Sequence, residues 1–197
     1  MTTKRGPFTV HGARTLYDNP WITLVDHDVS VASARRFSYT TVGFNKIATG
    51  VVPLHDDGTV TLVGQHRFPL DAYSWELPEG GAEPDEEPLA AIKREMAEEA
   101  GLAGAEWRQI LHMHLSNSVT DEAAFVYLAT GLTPATGEVD DTEELAVRRL
   151  PFAEALAMCA DGAITDSITV AGLLRVHHLA VLGELPDGLN DILVPKR

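Results

Sequence analysis

The stretch from Gly80 to Leu102, GGAEPDEEPLAAIKREMAEEAGL, decides how the rest of the chain is read. An acidic turn, Glu83-Pro84-Asp85-Glu86-Glu87, leads into Pro88. Proline suits a first helical turn, because its missing N–H would find no helical partner there. The spacing predicts a helix over residues 88–100. Gly101 stops it, since glycine enters the left-handed conformation of a helix end without steric cost. Leu89, Ile92 and Met96 form the apolar stripe of this helix. Glu95, Glu98 and Glu99 share a face about a quarter-turn from that stripe. Like charges so placed repel by roughly 0.2–0.5 kcal/mol per exposed pair. At the margin of a buried face the cost is larger. One account is a solvated charged face with Lys93 and Arg94 as partners. The other is a cation held among the carboxylates. Hard carboxylate oxygens with no cysteine nearby suit Mg²⁺ or Mn²⁺ better than Zn²⁺.

The wider pattern favours the cation. Gly80, Glu86, Arg94, Glu95, Met96, Glu98, Glu99, Gly101 and Leu102 fit G-x5-E-x7-R-E-U-x-E-E-x-G-U, where U is aliphatic or Met. The segment resembles the Nudix box, and the chain is similar to Nudix hydrolases. That resemblance implies an α/β fold, the Nudix-type α/β/α sandwich with a mixed sheet, carrying the box as a loop–helix–loop. It implies hydrolysis of a nucleoside diphosphate linked to another moiety, with Mg²⁺ or Mn²⁺ as cofactor. Glu95, Glu98 and Glu99 would bind the metal, with the backbone carbonyl of Glu79 or a neighbour. Glu98 is also a catalytic candidate, acting on water. Glu86 and Arg94 would orient the loop and the carboxylates, Gly80 would let the backbone bend close to the metal, and Gly101 ends the helix. The chemistry is coherent: metal ions neutralise a polyanionic pyrophosphate and acidify bound water, and a carboxylate base takes the proton.

Upstream of the box, Gln65-His66-Arg67 and Trp75-Glu76-Leu77-Pro78-Glu79-Gly80 resemble the Q-x-R…W-E-L-P-x-G arrangement of the ADP-ribose pyrophosphatase and nucleoside-diphosphate-sugar hydrolase branch. Gly162 to Thr169 resembles that branch's C-terminal helix entry. By this resemblance Arg67 would contact a phosphate or terminal ribose; a surface arginine is the alternative. Trp21 is a candidate for stacking on a base, although strands use aromatics equally for packing. Arg36 is a weaker substrate-binding candidate from the N-terminal arm. After the box the branch carries a Ser-Pro-Gly-type loop, whereas residues 115–122 read LSNSVTDE. The departure leaves ADP-ribose, GDP-mannose and similar nucleotide sugars all open. Other Nudix substrates (nucleoside triphosphates, dinucleoside polyphosphates) and a non-catalytic ADP-ribose sensor are the rival expectations. The catalytic base is sought in Asp140-Asp141-Thr142-Glu143-Glu144, with Glu143 first, then Glu144, then Asp141. An exposed acidic loop is the alternative there.

Further out, the 197-residue chain has 15 Lys+Arg against 29 Asp+Glu, a formal net charge of -14. That excess argues against nucleic acid as a partner, which needs clustered positive charge. A small nucleotide arriving with cations is compatible with it. One cysteine, Cys159, points to a reducing compartment. No apolar run reaches membrane-spanning length, and MTTKRGPFTVHGAR lacks the apolar core of a signal peptide. A cytoplasmic enzyme is expected. β-rich patterning over residues 8–30 and 37–65, a turn at His55-Asp56-Asp57-Gly58, a bend at Glu79-Gly80-Gly81, strands over 107–114, 123–129 and 145–150, and helices over 151–159 and 168–181 complete the pattern. Residues 1–45 are expected to form an N-terminal β arm that joins two copies as a homodimer, and residues 46–197 the hydrolase domain.

Overall fold

The computed structural model describes residues 2–32, 35–137, 144–186 and 188–195. The chain divides into two compact units: residues 1–47 with 114–123, and residues 48–113 with 124–197. The excursion 114–123 thus belongs with the N-terminal strands.

In the first unit, β1 (Thr3–Arg5), β2 (Phe8–Asp18), β3 (Ile22–Val31) and β4 (Phe37–Phe44) form a sheet in that order, every pair antiparallel. The Asp18-Asn19-Pro20 turn closes on the Asn19 side chain, whose Oδ1 accepts from the N–H groups of Trp21 (2.9 Å) and Ile22 (2.7 Å). β2 is longer than its loose alternation suggested. Register shifts between Val10 and Gly12 and between Thr15 and Tyr17 break the two-residue period without ending the pairing. Segment 114–123 is tied on by the Val42 N–H to the Val119 carbonyl (2.9 Å) and the Phe44 N–H to Asp121 Oδ1 (3.0 Å).

The second unit begins with β5 (Ile47–Pro53) and β6 (Thr59–Arg67), joined by the predicted turn, with the Gly58 N–H on the His55 carbonyl at 2.9 Å. There follow β7 (Ala72–Glu76), β8 (Glu79–Ala82), α1 (Pro88–Ala100), β9 (Leu102–His114), β10 (Ala123–Pro134), β11 (Ala146–Pro151), α2 (Phe152–Asp161), α3 (Ser167–Leu182) and α4 (Leu189–Leu193). One sheet runs β8-β5-β10-β9, with β5 and β10 parallel; the other runs β11-β6-β7 and is antiparallel. Adjacent residues of β5 reveal the layering. Val51 packs with Ile92 and Met96 of α1. At Gly50 a side chain would meet Ile168 of α3 at 2.5 Å. Neighbours along a strand point to opposite faces, so α1 and α3 cover opposite sides of a mixed sheet. This is the α/β/α sandwich expected from the sequence. Two details differ. Glu79-Gly80-Gly81 is not a free bend but part of β8, paired along β5. α4 was not anticipated, being a five-residue helix.

Candidate metal and catalytic site

α1 begins at Pro88 and ends at Gly101, whose φ of 63° lets its N–H reach the Ala97 and Met96 carbonyls. Its buried face holds Ala91, Ile92, Met96 and Glu99. Burial of Glu99, only 8% exposed, sets this helix apart, because an ionised carboxylate is costly there without partners. One partner is the Glu79 N–H, which donates to Glu99 Oε2 at 3.0 Å. Glu95 and Glu98 lie at the edge of the same face. Arg94 Nη1 donates to Glu95 Oε1 and to Glu98 Oε2, both at 2.9 Å, and Nη2 pairs with Glu86 Oε2 at 3.3 Å. One guanidinium therefore reaches three carboxylates. Lys93, the other expected partner, lies over the Trp107 ring, 5.4 Å from its centroid. Partial burial pulls the Arg94 pKa down, but the Glu86 hydrogen bond and the Glu95 charge outweigh it, so the net shift is upward.

β8 approaches α1 so closely that a side chain at Gly80 would displace Glu95. A Cβ there would stand 2.3 Å from Cδ and Oε1 of Glu95. The Gly80 carbonyl accepts from the buried Thr49 hydroxyl at 3.0 Å, and the Pro78 carbonyl accepts from the Val51 N–H at 3.0 Å. Glu95 stands against the Gly80 backbone and Glu99 against the Glu79 N–H; carboxylate oxygens of this kind are the donor type that suits a hard divalent cation. Arg94 thus joins Glu86, Glu95 and Glu98, while Glu79 meets Glu99 and Gly80 meets Glu95 where β8 passes α1.

A second carboxylate group adjoins the first. Arg67 Nε donates to both Glu76 oxygens (3.0 and 3.1 Å), and its Nη2 reaches Glu76 Oε2 and Glu79 Oε1, the latter at 2.8 Å. The hydrogen bond to Glu76 is the largest cause of the raised Arg67 pKa. Oxygens of Glu76, Glu79 and Asp166 lie within 4.8 Å of one another. Burial, then the charges of Asp166 and Glu76, push the Glu79 carboxyl well above the ordinary glutamate range. Asp166 caps α3, its Oδ2 accepting from the Thr169 N–H at 2.7 Å. Thr169 in turn accepts from the Leu77 N–H at 2.8 Å.

The sequence had singled out neither Asp166 nor the Arg67–Glu79 contact. The Asp-x-x-Thr spacing before an apolar run was a readable cap signal for Asp166. Gly137 was also missed: a Cβ there would lie 2.5 Å from the Glu98 N and Cα, so this residue rests directly on the α1 backbone. Of the acidic-loop candidates, Glu144 is exposed, while Glu143 and Asp141 lie outside the described residues. Trp21 and Arg36 belong to the first unit. Trp21 is 64% exposed, and Arg36 pairs with Asp28 at 3.2 Å. His112 stacks on Phe125 with centroids 4.6 Å apart. Cys159 is half-buried.

The family model described as the NUDIX domain matches residues 44–169. The chain belongs to the NUDIX family. It is 34% identical over 133 residues to an ADP-ribose pyrophosphatase of Mycobacterium tuberculosis (strain ATCC 25618 / H37Rv), a match covering 66% of this chain and 64% of that relative, less than two thirds of its length. It is 27% identical over 176 residues to a CMP-5'-(N-acetyl-N-hydroxy-3-aminopropyl)phosphonate hydrolase of Streptomyces rubellomurinus (strain ATCC 31215), covering 89% of this chain and 84% of the relative. A crystal structure of an ADP compounds hydrolase superposes with a TM-score of 0.82 at 22% identity, over 93% of this chain and 100% of the other, and this establishes the NUDIX fold. The NUDIX box is the loop and helix from Gly80 to Leu102 described above.

Proposed function

We propose that this NUDIX protein is a hydrolase of phosphoanhydrides that cleaves the pyrophosphate of a nucleoside diphosphate sugar, ADP-ribose, GDP-mannose or a relative, to a nucleoside monophosphate and a sugar phosphate. What supports the proposal is the three- and four-residue spacing of Glu95, Glu98 and Glu99 along α1, with Glu99 drawn in under the Glu79 N–H and Gly80 left without a side chain beside Glu95. Glu95, Glu98 and Glu99 hold Mg²⁺ or Mn²⁺, helped by the backbone carbonyl of Glu79 or a neighbour. The bound cation supplies charge neutralisation and an acidified water. Arg94 and Glu86 keep the carboxylates apart and oriented. The base that takes the proton from water comes from Glu143 or Glu144, with Glu98 next in line. The mycobacterial relative's name supports ADP-ribose as the first substrate to try. The Streptomyces relative's name shows that a similar chain can act on a different nucleotide linkage.

The protein is proposed to work in the cytoplasm as a homodimer. The lone cysteine agrees with a reducing compartment, and no helix among the described residues is long and apolar enough to cross a membrane. Leu16, Tyr17, Trp21, Phe37 and Phe44 on the N-terminal strands and their turn are exposed apolar side chains that a second copy could cover. Trp21 and Arg36 would serve the substrate from that unit.

The test is a panel of ADP-ribose, GDP-mannose, nucleoside triphosphates and diadenosine polyphosphates, with Mg²⁺, Mn²⁺ or a chelator, and with products identified. Metal-dependent release of a nucleoside monophosphate from a nucleotide sugar is expected. Faster turnover of triphosphates would move the protein to another NUDIX substrate class. Tight ADP-ribose binding without cleavage would make it a sensor. A single monomeric species in light scattering would remove the dimer.

A further inference from the structure

We propose that the Arg67–Glu79 hydrogen bond is a positioning device for the NUDIX helix: it fixes the Glu79 peptide so that its N–H holds Glu99 in place. The inference rests on Glu99 being a metal ligand, as proposed above. It reassigns Arg67, whose expected role was contact with the substrate.

The geometry runs from strand to helix. Glu76 is the last residue of β7 and Glu79 the first of β8. Arg67, at the end of β6, donates to both. Its guanidinium thus bridges the Leu77-Pro78 connection with a planar fork, a geometry that a lysine cannot reproduce. The Glu76 and Glu79 side chains are 3% and 12% exposed, and Arg67 34%, so the pair is largely withdrawn from water. There, charge-assisted hydrogen bonds are stronger and more directional than at a surface. The residues that follow, Gly80 and Gly81, offer little stiffness of their own. The peptide that meets Glu99 must therefore be steadied by its hydrogen-bonded neighbours and by its own side chain. The Pro78 and Gly80 carbonyls are held by Val51 and Thr49; the Glu79 side chain is held by Arg67. Release of that last hold lets the peptide plane tilt, and the N–H that stands 3.0 Å from Glu99 Oε2 moves with it. A partner that orients a ligand from outside the coordination sphere typically contributes about 10- to 100-fold in metal affinity.

The experiment compares the full-length wild type with Glu79→Ala, Glu79→Gln and Arg67→Lys. Mn²⁺ affinity is read from the paramagnetic resonance of free Mn²⁺, thermal melts report folding, and KM for ADP-ribose is taken at saturating Mg²⁺. Glu79→Ala is expected to weaken Mn²⁺ binding about tenfold while leaving the nucleotide KM within about twofold. Glu79→Gln keeps an oxygen for Arg67 and should bind Mn²⁺ like the wild type. Arg67→Lys should weaken Mn²⁺ binding without raising the nucleotide KM. Wild-type Mn²⁺ affinity in a folded Glu79→Ala overturns the proposal. So does a raised nucleotide KM with unchanged Mn²⁺ affinity in Arg67→Lys, which returns Arg67 to the substrate. If Glu79→Ala fails to fold, the contrast between Arg67→Lys and Glu79→Gln decides. Absence of Mn²⁺ binding in the wild type itself would instead overturn the metal site, and this inference with it.

Discussion

Gly80→Ala separates catalysis from stability. The added methyl carbon would stand 2.3 Å from the Glu95 carboxylate carbon and Oε1, where ordinary contact begins at 3.4 Å. The carboxylate must therefore retreat by about 1.1 Å, the difference between those two distances. It can do so, because the obstacle is the end of a flexible side chain and not backbone. Gly80 is also absent from the residues with positive φ, so alanine is conformationally allowed. Stability should change little, and the reduced freedom of the unfolded chain offsets part of any strain by about 0.4–1 kcal/mol. A metal site tolerates far less: ligand distances are good to about 0.2 Å. A misplacement near 1 Å costs about 100-fold in rate, or roughly 2.7 kcal/mol of transition-state stabilisation. The assay is kcat/KM for ADP-ribose in saturating Mg²⁺, beside a thermal melt and an Mn²⁺ titration. A melt close to wild type with about a 100-fold loss of kcat/KM is expected. Full activity and full Mn²⁺ affinity in the folded variant would refute the assignment of Glu95 as a ligand.

Glu99→Gln should fold, since the amide oxygen still accepts from the Glu79 N–H, yet lose roughly 100-fold or more in kcat; near-normal turnover would remove Glu99 from the metal site. Gly137→Ala places a methyl group 2.5 Å from α1 backbone atoms that cannot step aside. Urea unfolding should show a loss of about 1–3 kcal/mol, and unchanged stability would contradict the close packing. Burial lowers the His55 pKa from its usual 6.5, with Arg149 adding to the effect. Below pH 6.5 the unfolded chain then takes up a proton that the native one refuses, so stability falls as pH drops towards the depressed value. NMR titration should place the His55 midpoint under 6.5, and His55→Asn should flatten stability over that range; a midpoint at or above 6.5 would be the wrong sign.

The NUDIX helix was legible because its signals are local. Pro88, Gly101 and the three- and four-residue spacing of Glu95, Glu98 and Glu99 all act within one or two turns, where the geometry of the α-helix settles which side chains are neighbours. The order of most strands and helices followed from periodicity in the same way, and the sandwich class from the resemblance that the box carries. Strand status for Glu79–Ala82 did not follow. Two glycines there hide any strand preference, and the pairing that makes β8 comes from β5, far upstream. Arg67 gripping Glu79, Asp166 beside Glu76, and Gly137 resting on α1 were equally out of reach. Each joins residues well separated along the chain, and such meetings depend on sheet register and on how closely a helix approaches its sheet. Sequence alone determined that a carboxylate-lined helix exists and which residue types it offers; the packed structure decided which backbone N–H and which guanidinium hold those carboxylates in place, because contact between distant residues is set by layer packing and not by local propensity.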